Sequence, residues 1–358
     1  AKVMQGSGGS FGVGKNAATA ASTLRTVFYS TINGSDGKFS CMGKAILRTW
    51  DDAEGNLRDR FVFWGDTAKD LEPVVDPSHV KSWLKRDKPG LTTHILAPHH
   101  AFGSDWALKL AIVLVENFYT AIHDGSLEFS IDHESIILNS SNLSARFKEY
   151  LALDDLRDIA PLKTAHQMHI ALTADDSYRE TFTIKDVGDF DLFIATKNID
   201  NIKKIHIVRN GMLITDTLSK FKDQLKSFTG MANFAAILRP ANDESSAWMK
   251  RLEGPAHDEL TTGYLQEAQA LDAEVAVKML AQTVRAKIKE VAGIKTESTR
   301  SLDEYNRYLT KKGDLDGSDN PPTGVANPTK RKRIFSKGSN KENLSGTLAP
   351  VPRPKPPT

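Results

Sequence analysis

A glycine-rich stretch near the start of the chain, GGSFGVGKNA, contains the residue types that bind phosphate. Gly9, Gly14 and Lys15 have the spacing of a P-loop, but Asn16 stands where a P-loop carries the hydroxyl that ligates magnesium. Glycines permit positive φ and close backbone approach, so successive N–H groups can point at phosphate oxygens. A helix predicted to begin near Asn16 would add the partial positive charge of its N-terminus. The stretch predicts a nucleotide-phosphate site; the alternative is a flexible linker.

The segments that follow this loop predict an antiparallel sheet. NAATAASTL is typical of a short helix, and the runs RTVFYSTI, KFSCMGKAILRTW and RFVFWG are separated by the turn segments NGSDG and DDAEGN. GLTTHILAP predicts another strand, which Pro98 ends. A P-loop protein instead alternates strands and helices around a parallel sheet. A P-loop protein, with Asp66 after FVFWG as the magnesium ligand, is therefore the alternative to a fold built on an antiparallel sheet.

A second α/β domain is predicted beyond residue 103. Residues 106–123, WALKLAIVLVENFYTAIH, are apolar almost all round and predict a buried helix. Residues 164–238 predict a second sheet whose strands include QMHIALTA, which would send His166 and His169 to opposite faces. A long amphipathic helix is expected from about residue 258 to 290.

Composition restricts the compartment and the partners. Cys41 is the one cysteine and no apolar run approaches the ~20 residues that cross a bilayer, so we expect a cytoplasmic protein without a disulfide framework. The formal net charge of +2 is concentrated in the tail, where KRKR at residues 330–333 could bind nucleic acid and PVPRPKPP could bind a protein groove. The alternative is a solvated end that aids solubility. The histidines have no Cys partner and no H-E-x-x-H spacing, so a zinc site is not expected.

The loop and the strands after it resemble the superfamily of gyrase, heat-shock chaperone, histidine kinase and mismatch-repair ATPases, which share the Bergerat fold. Their glycine-rich lid, F-G-x-G, is matched by Phe11, Gly12, Val13 and Gly14. The resemblance implies that ATP and Mg²⁺ bind here, with Thr92 in GLTTH as a substitute for the threonine beside the adenine. The residues that it assigns to the nucleotide are Gly9, Ser10, Phe11, Gly12, Val13, Gly14, Lys15, Asn16 and Thr92.

The same resemblance implies a division of the chain and a mechanism. Residues 1–98 would be the C-terminal part of the ATP-binding domain, residues 104–300 a transducer-like domain, and residues 314–358 a disordered basic tail. In related ATPases a basic residue of the second domain reaches the γ-phosphate, and Arg209 is the candidate here, with a surface ion pair as the alternative.

The family's catalytic Glu, magnesium-binding Asn and D-x-G-x-G segment precede the lid and do not occur in AKVMQGSG, so hydrolysis is expected to need a segment supplied from elsewhere. The expected function is an ATP-dependent conformational switch, with a homodimer as its assembly. The remaining alternative is a catalytically inactive interaction module on the same fold.

Overall fold

The computed structural model describes residues 16–99, 103–156, 159–222 and 225–293. All of these residues belong to one compact unit. Helices and largely antiparallel sheets confirm the predicted α/β class. The lid residues 9–15 and the tail 314–358 lie outside the described residues, so the predictions made for them stay predictions.

The helices are α1 (Ala17–Ala21), α2 (Trp106–His123), α3 (Leu143–Ala152), α4 (Ala160–Thr173), α5 (Asp243–Leu252) and α6 (Glu267–Ala292). The strands are β1 (Thr26–Ile32), β2 (Phe39–Ile46), β3 (Trp50–Asp51), β4 (Leu57–Arg58), β5 (Phe61–Trp64), β6 (Gly90–Ile95), β7 (Phe129–Ile131), β8 (Ile136–Leu138), β9 (Tyr178–Ile184), β10 (Gly188–Ala195), β11 (Lys203–Arg209), β12 (Met212–Thr215) and β13 (Phe234–Pro240).

The first large sheet has the strand order β5-β2-β1-β6, and its three strand pairs are antiparallel. Because side chains alternate along a strand, each face can be assigned from the register. One side, which we call the packed face, carries Phe28 and Cys41 and is covered by Val74, Val80 and Leu84 from the segment between β5 and β6.

The other side of this sheet, which we call the open face, exposes large apolar side chains. In-register pairing places Phe63 beside Lys44 and Leu91 beside Thr31, and Phe61 lies on the same side. Phe61, Phe63 and Leu91 are 38%, 45% and 64% exposed. A half-buried antiparallel sheet normally has a polar outer face, so aromatic side chains on this face indicate a surface that receives another group.

The second large sheet has the order β12-β11-β13-β10-β9, in which β11 and β13 are parallel and the other three pairs antiparallel. Neighbouring residues of β13 enter two different cores: Ala235 and Ile237 pack with α2, α3 and α4, whereas Ala236 and Leu238 pack with α5 and α6. Burial on both faces explains why this strand is a continuous apolar run.

One predicted strand of this second part was wrong, and the predicted long helix is present but begins later than expected. QMHIALTA belongs to α4, because Pro161 suits the first turn of a helix and the helix is buried on several sides, which erases the periodicity that separates helix from strand. The long helix begins at Glu267 and not near residue 258, because Glu253 and Leu260 form a β-bridge that holds the preceding residues in a loop.

The turn between β11 and β12 docks tightly against α2. Asn210 and Gly211 have φ of 50° and 73°, as in the Asn-Gly hairpin turns whose twist matches the strands. The Gly211 carbonyl accepts hydrogen bonds from the Thr120 hydroxyl at 2.7 Å and the Ala121 N–H at 3.2 Å. A Cβ at Gly211 would lie 2.4 Å from the Ala121 Cβ.

We therefore expect Gly211→Ala to lower the free energy of unfolding by about 2–4 kcal/mol, through left-handed strain of roughly 1–2 kcal/mol plus overpacking. Gly230 is a matched control, because its φ is 75° but a Cβ there would meet nothing within 4 Å. Gly230→Ala should therefore lower the free energy of unfolding only by the left-handed strain of roughly 1–2 kcal/mol. Urea denaturation of the two variants measures the difference, and equal losses would contradict the docking of the turn.

Candidate functional site

The candidate nucleotide site is visible only from Asn16 onward, because Gly9 to Lys15 lie outside the described residues. Asn16 precedes α1, its side chain is exposed, and it makes no capping hydrogen bond. Its amide is therefore not used by the helix that it precedes. The helix itself contacts β1 and β6, so the end of the lid lies beside the first sheet.

Thr92 lies on the packed face of this sheet, in register with Ser30. Its hydroxyl accepts a hydrogen bond from the Arg86 guanidinium, which also donates to the Lys88 carbonyl at 3.1 Å. The neighbouring residue, Thr93, points to the open face and is exposed. A strand alternates strictly, so a ligand on the open face would meet the hydroxyl of Thr93 and not that of Thr92.

The open face combines aromatic rings with positive charge. The Lys44 ammonium lies 5.1 Å from the centroid of the Phe61 ring, and the Arg60 guanidinium lies 4.9 Å from the same ring. Both distances are within the range of cation–π attraction. Phe63 is directly in register with Lys44. Such a surface can stack a flat ring and attract an anionic group attached to it.

Arg209 is 3% exposed and pairs with Glu253, which is 1% exposed. Its Nε and Nη2 donate to the Glu253 Oε2 at 2.6 and 2.5 Å, while His257 Nδ1 lies 2.6 Å from the Glu253 Oε1. The Arg209 Nη1 is buried and has no hydrogen-bond partner among the described residues. The ion pair is thus buried, not at the surface as the sequence alternative had it. The prediction that Arg209 reaches a γ-phosphate stays a prediction.

A cavity of about 760 Å³ between α2, α4, β11 and β12 was not anticipated from the sequence. Glu116 lines it, and its Oε1 is buried without a hydrogen-bond partner in the part of the chain that the structure describes. Burial raises the pKa of this carboxyl. His206 also lines the cavity, and its Nδ1 lies 3.0 Å from the Tyr119 hydroxyl. The sequence feature that could have indicated this cavity is Glu116, the one acidic residue of the largely apolar helix α2.

Because α4 is a helix, His166 and His169 both lie beside Phe147, and His123 of α2 lies beside His169. The rings of His166 and His169 each lie 5.3 Å from the Phe147 ring, and His123 lies 5.5 Å from His169. Burial, and then the neighbouring His123 and His166, lower the pKa of His169 to about 4. Within the described ranges no group of three or more His, Cys, Asp and Glu residues could hold a metal ion.

Comparisons with known proteins add little to this geometry. The sequence matches no protein-family model, and a search of curated proteins finds no match. Among solved structures, the chain is similar to one described as the N-terminal domain of a DNA repair protein, with 11% identity, 75% of this chain and 70% of that chain covered, and a TM-score of 0.29. A likeness at that level does not identify a shared fold. Over the described residues, no helix combines the length and the apolarity needed to span a membrane.

The buried ion pair yields a stability prediction. Glu253→Gln leaves the Arg209 charge buried without its counter-charge and should lower the free energy of unfolding by about 3–5 kcal/mol. The control is Asp216→Asn, which breaks the exposed pair of Lys204 and Asp216 and should change it by less than about 1 kcal/mol. Chemical denaturation at neutral pH measures both. Equally small losses of unfolding free energy in the two variants would contradict the role of the Arg209–Glu253 pair in holding the loop to the sheet.

The buried histidines yield a pH prediction. Burial lowers the pKa of His206 to about 4 from an ordinary value of 6.5. Between those values the unfolded chain binds a proton that the folded chain excludes, so stability falls as the pH decreases from 6.5 to about 4. His206→Asn should flatten this loss, whereas His133→Asn, at an exposed residue, should not. Thermal unfolding followed across that pH range measures the slope, and identical slopes in both variants would contradict the assignment.

Proposed function

We propose that this protein binds ATP between the glycine-rich lid and the open face of the first sheet, as a conformational switch of the Bergerat type. The observation that carries the proposal is the open face itself. It presents aromatic rings and a lysine on an antiparallel sheet, immediately after a lid sequence and a short helix. Lid amides and Lys15 would hold the phosphates, and the sheet would take the base.

The topology supports this class over the P-loop alternative. A P-loop protein requires parallel strands, with an acidic residue at the carboxyl end of one of them. Here the strand pairs β1–β2, β1–β6 and β2–β5 are all antiparallel. Asp66, which the P-loop alternative assigned as the magnesium ligand, caps a 3-10 turn by accepting a hydrogen bond from the Ala68 N–H at 3.1 Å.

On the open face we assign the base contact to Thr93, in place of Thr92. The Thr92 hydroxyl is already bonded to Arg86 on the packed face, whereas Thr93 is exposed beside Leu91. Adenine has a flat apolar surface and an edge of donors and acceptors, so it suits a floor of aromatic rings with a hydroxyl at the edge.

The proposal concerns binding and stops short of hydrolysis. Mg²⁺ would enter with the triphosphate, but no ligand set for it is found in the described part of the chain. Arg209 is engaged by Glu253, so its predicted role at the γ-phosphate would require that pair to open. The engagement of Arg209 by Glu253 is the observation behind the second candidate, a catalytically inactive interaction module that keeps the fold and displays the basic tail.

Assembly and compartment follow as parts of the same proposal. We infer a cytoplasmic protein, consistent with a free thiol at Cys41 that is buried on the packed face. A homodimer closed by nucleotide, and a nucleic-acid or protein partner for the basic tail, remain parts of the proposal drawn from the sequence.

The test is equilibrium binding of a fluorescent, non-hydrolysable ATP analogue with and without Mg²⁺. Gly12→Val should block the approach of the lid backbone, and Lys15→Ala should remove a charge-assisted contact. Losing one such contact is expected to weaken binding about tenfold or more. Lys38→Ala is the matched control, because Lys38 is an exposed lysine on the same sheet's β1–β2 connection.

Each outcome separates the two candidates. Weaker binding by both lid variants, with the Lys38 variant unchanged, supports the ATP site. Absence of binding by the native chain, or equal affinity in all four proteins, removes the ATP proposal and favours the interaction module.

A further inference from the structure

Helix α6 is amphipathic in an unusual way, because it carries two apolar sides. Its inner side packs on the second sheet through Val277, Leu280 and Val284, which are at most 3% exposed. At 26 residues it is one of the longest elements of the fold, about 39 Å at 1.5 Å per residue. An inner side alone would account for a surface helix of this kind.

The outer side of α6 carries a second apolar row. Leu271, Val275 and Met279 are spaced four residues apart, so they lie on one face of the helix, and they are 61%, 59% and 44% exposed. A groove of about 580 Å³ is lined by Val275 and Met279 of this row, together with Trp248 of α5. A continuous exposed row next to a groove marks an interaction surface.

The charges beside this row identify the partner. At 3.6 residues per turn, Glu267, Glu274, Lys278 and Arg285 fall on the same flank of the row. Glu267 and Arg285 are equally far from Ala276 along the helix, and so are Glu274 and Lys278. If two copies of α6 lie antiparallel with a twofold axis near Ala276, each acid faces a base of the other copy. Parallel pairing about a twofold axis would place this flank of the two helices on opposite sides of the seam, so these charges would not meet.

We propose that two copies of this chain associate through the outer sides of α6, antiparallel, with the row of Leu271, Val275 and Met279 as the buried seam. A twofold interface uses the same patch on both subunits, which this self-complementary charge order satisfies. Glu274 of one copy pairs with Lys278 of the second copy, twice. The association is independent of nucleotide and does not rest on the proposed ATP site.

An ion pair within one helix is the competing explanation of the charge order, since Glu274 and Lys278 are four residues apart. The structure gives no ion pair between them among the described residues, and both side chains are exposed. Arg285 donates to the Ser227 carbonyl at 2.5 Å, so the outer pair is partly occupied. The test therefore uses the inner pair, Glu274 and Lys278.

The experiment is sedimentation equilibrium of the full chain without nucleotide, over a range of concentrations. The native chain is expected to reach twice its mass of 39.4 kDa. Glu274→Lys places two lysines opposite each other twice, and Lys278→Glu does the same with two glutamates, so each variant alone should dimerise about tenfold more weakly or worse. An equal mixture of the two variants restores both opposite-charge contacts and should dimerise like the native chain.

Apolar variants complete the design. Val275→Glu buries a charge at the centre of the seam and should abolish dimerisation, whereas Leu57→Glu, at a 74% exposed leucine on β4, should not. Circular dichroism confirms that each variant is folded. A native chain that stays monomeric, or a mixture that associates no better than the single variants, overturns the proposal.

Discussion

The constraint on the first sheet is that large apolar side chains of its open face lie in water. Its packed face is covered by a small cluster around Phe39, Cys41 and Leu84, whereas Phe61 and Phe63 on the open face remain exposed. Exposed aromatic side chains lose the hydrophobic stabilisation that burial gives, about 25 cal/mol per Å². A ligand, a further segment or a partner that covers the open face would therefore recover this hydrophobic stabilisation. Because the lid sequence comes directly before this sheet along the chain, nucleotide is the ligand that we propose for the open face.

The second sheet differs from the first in its burial and in the loop that it holds. Both of its faces are buried, and the loop after α5 is held to it by the pair of Arg209 and Glu253, with His257 on the second carboxylate oxygen. A buried ion pair adds little net stability but penalises any arrangement that separates the charges. This network fixes one conformation of the loop that precedes α6. The rigid sheet in turn presents the outer side of α6 to a second copy.

The sequence predicted much of this fold, and its failures have physical causes. The strands of the first sheet were predicted because β-branched and aromatic runs alternate with Asn, Gly and Asp turns. The strand predicted over QMHIALTA was wrong because burial on several sides of α4 removes the amphipathic signal. The face of Thr92 depends on register, and the partner of Arg209 lies 44 residues away, so neither follows from local pattern. Of the site itself, the sequence predicts the lid, and the structure adds the open face.

Photo-crosslinking with an azido-adenine analogue of ATP tests the central claim most directly, because the reactive group sits on the base. The account predicts labelled peptides that contain β5 or β6, with labelling suppressed by excess ATP. Labelling confined to other parts of the chain, or labelling that ATP does not suppress, would contradict nucleotide binding on the open face.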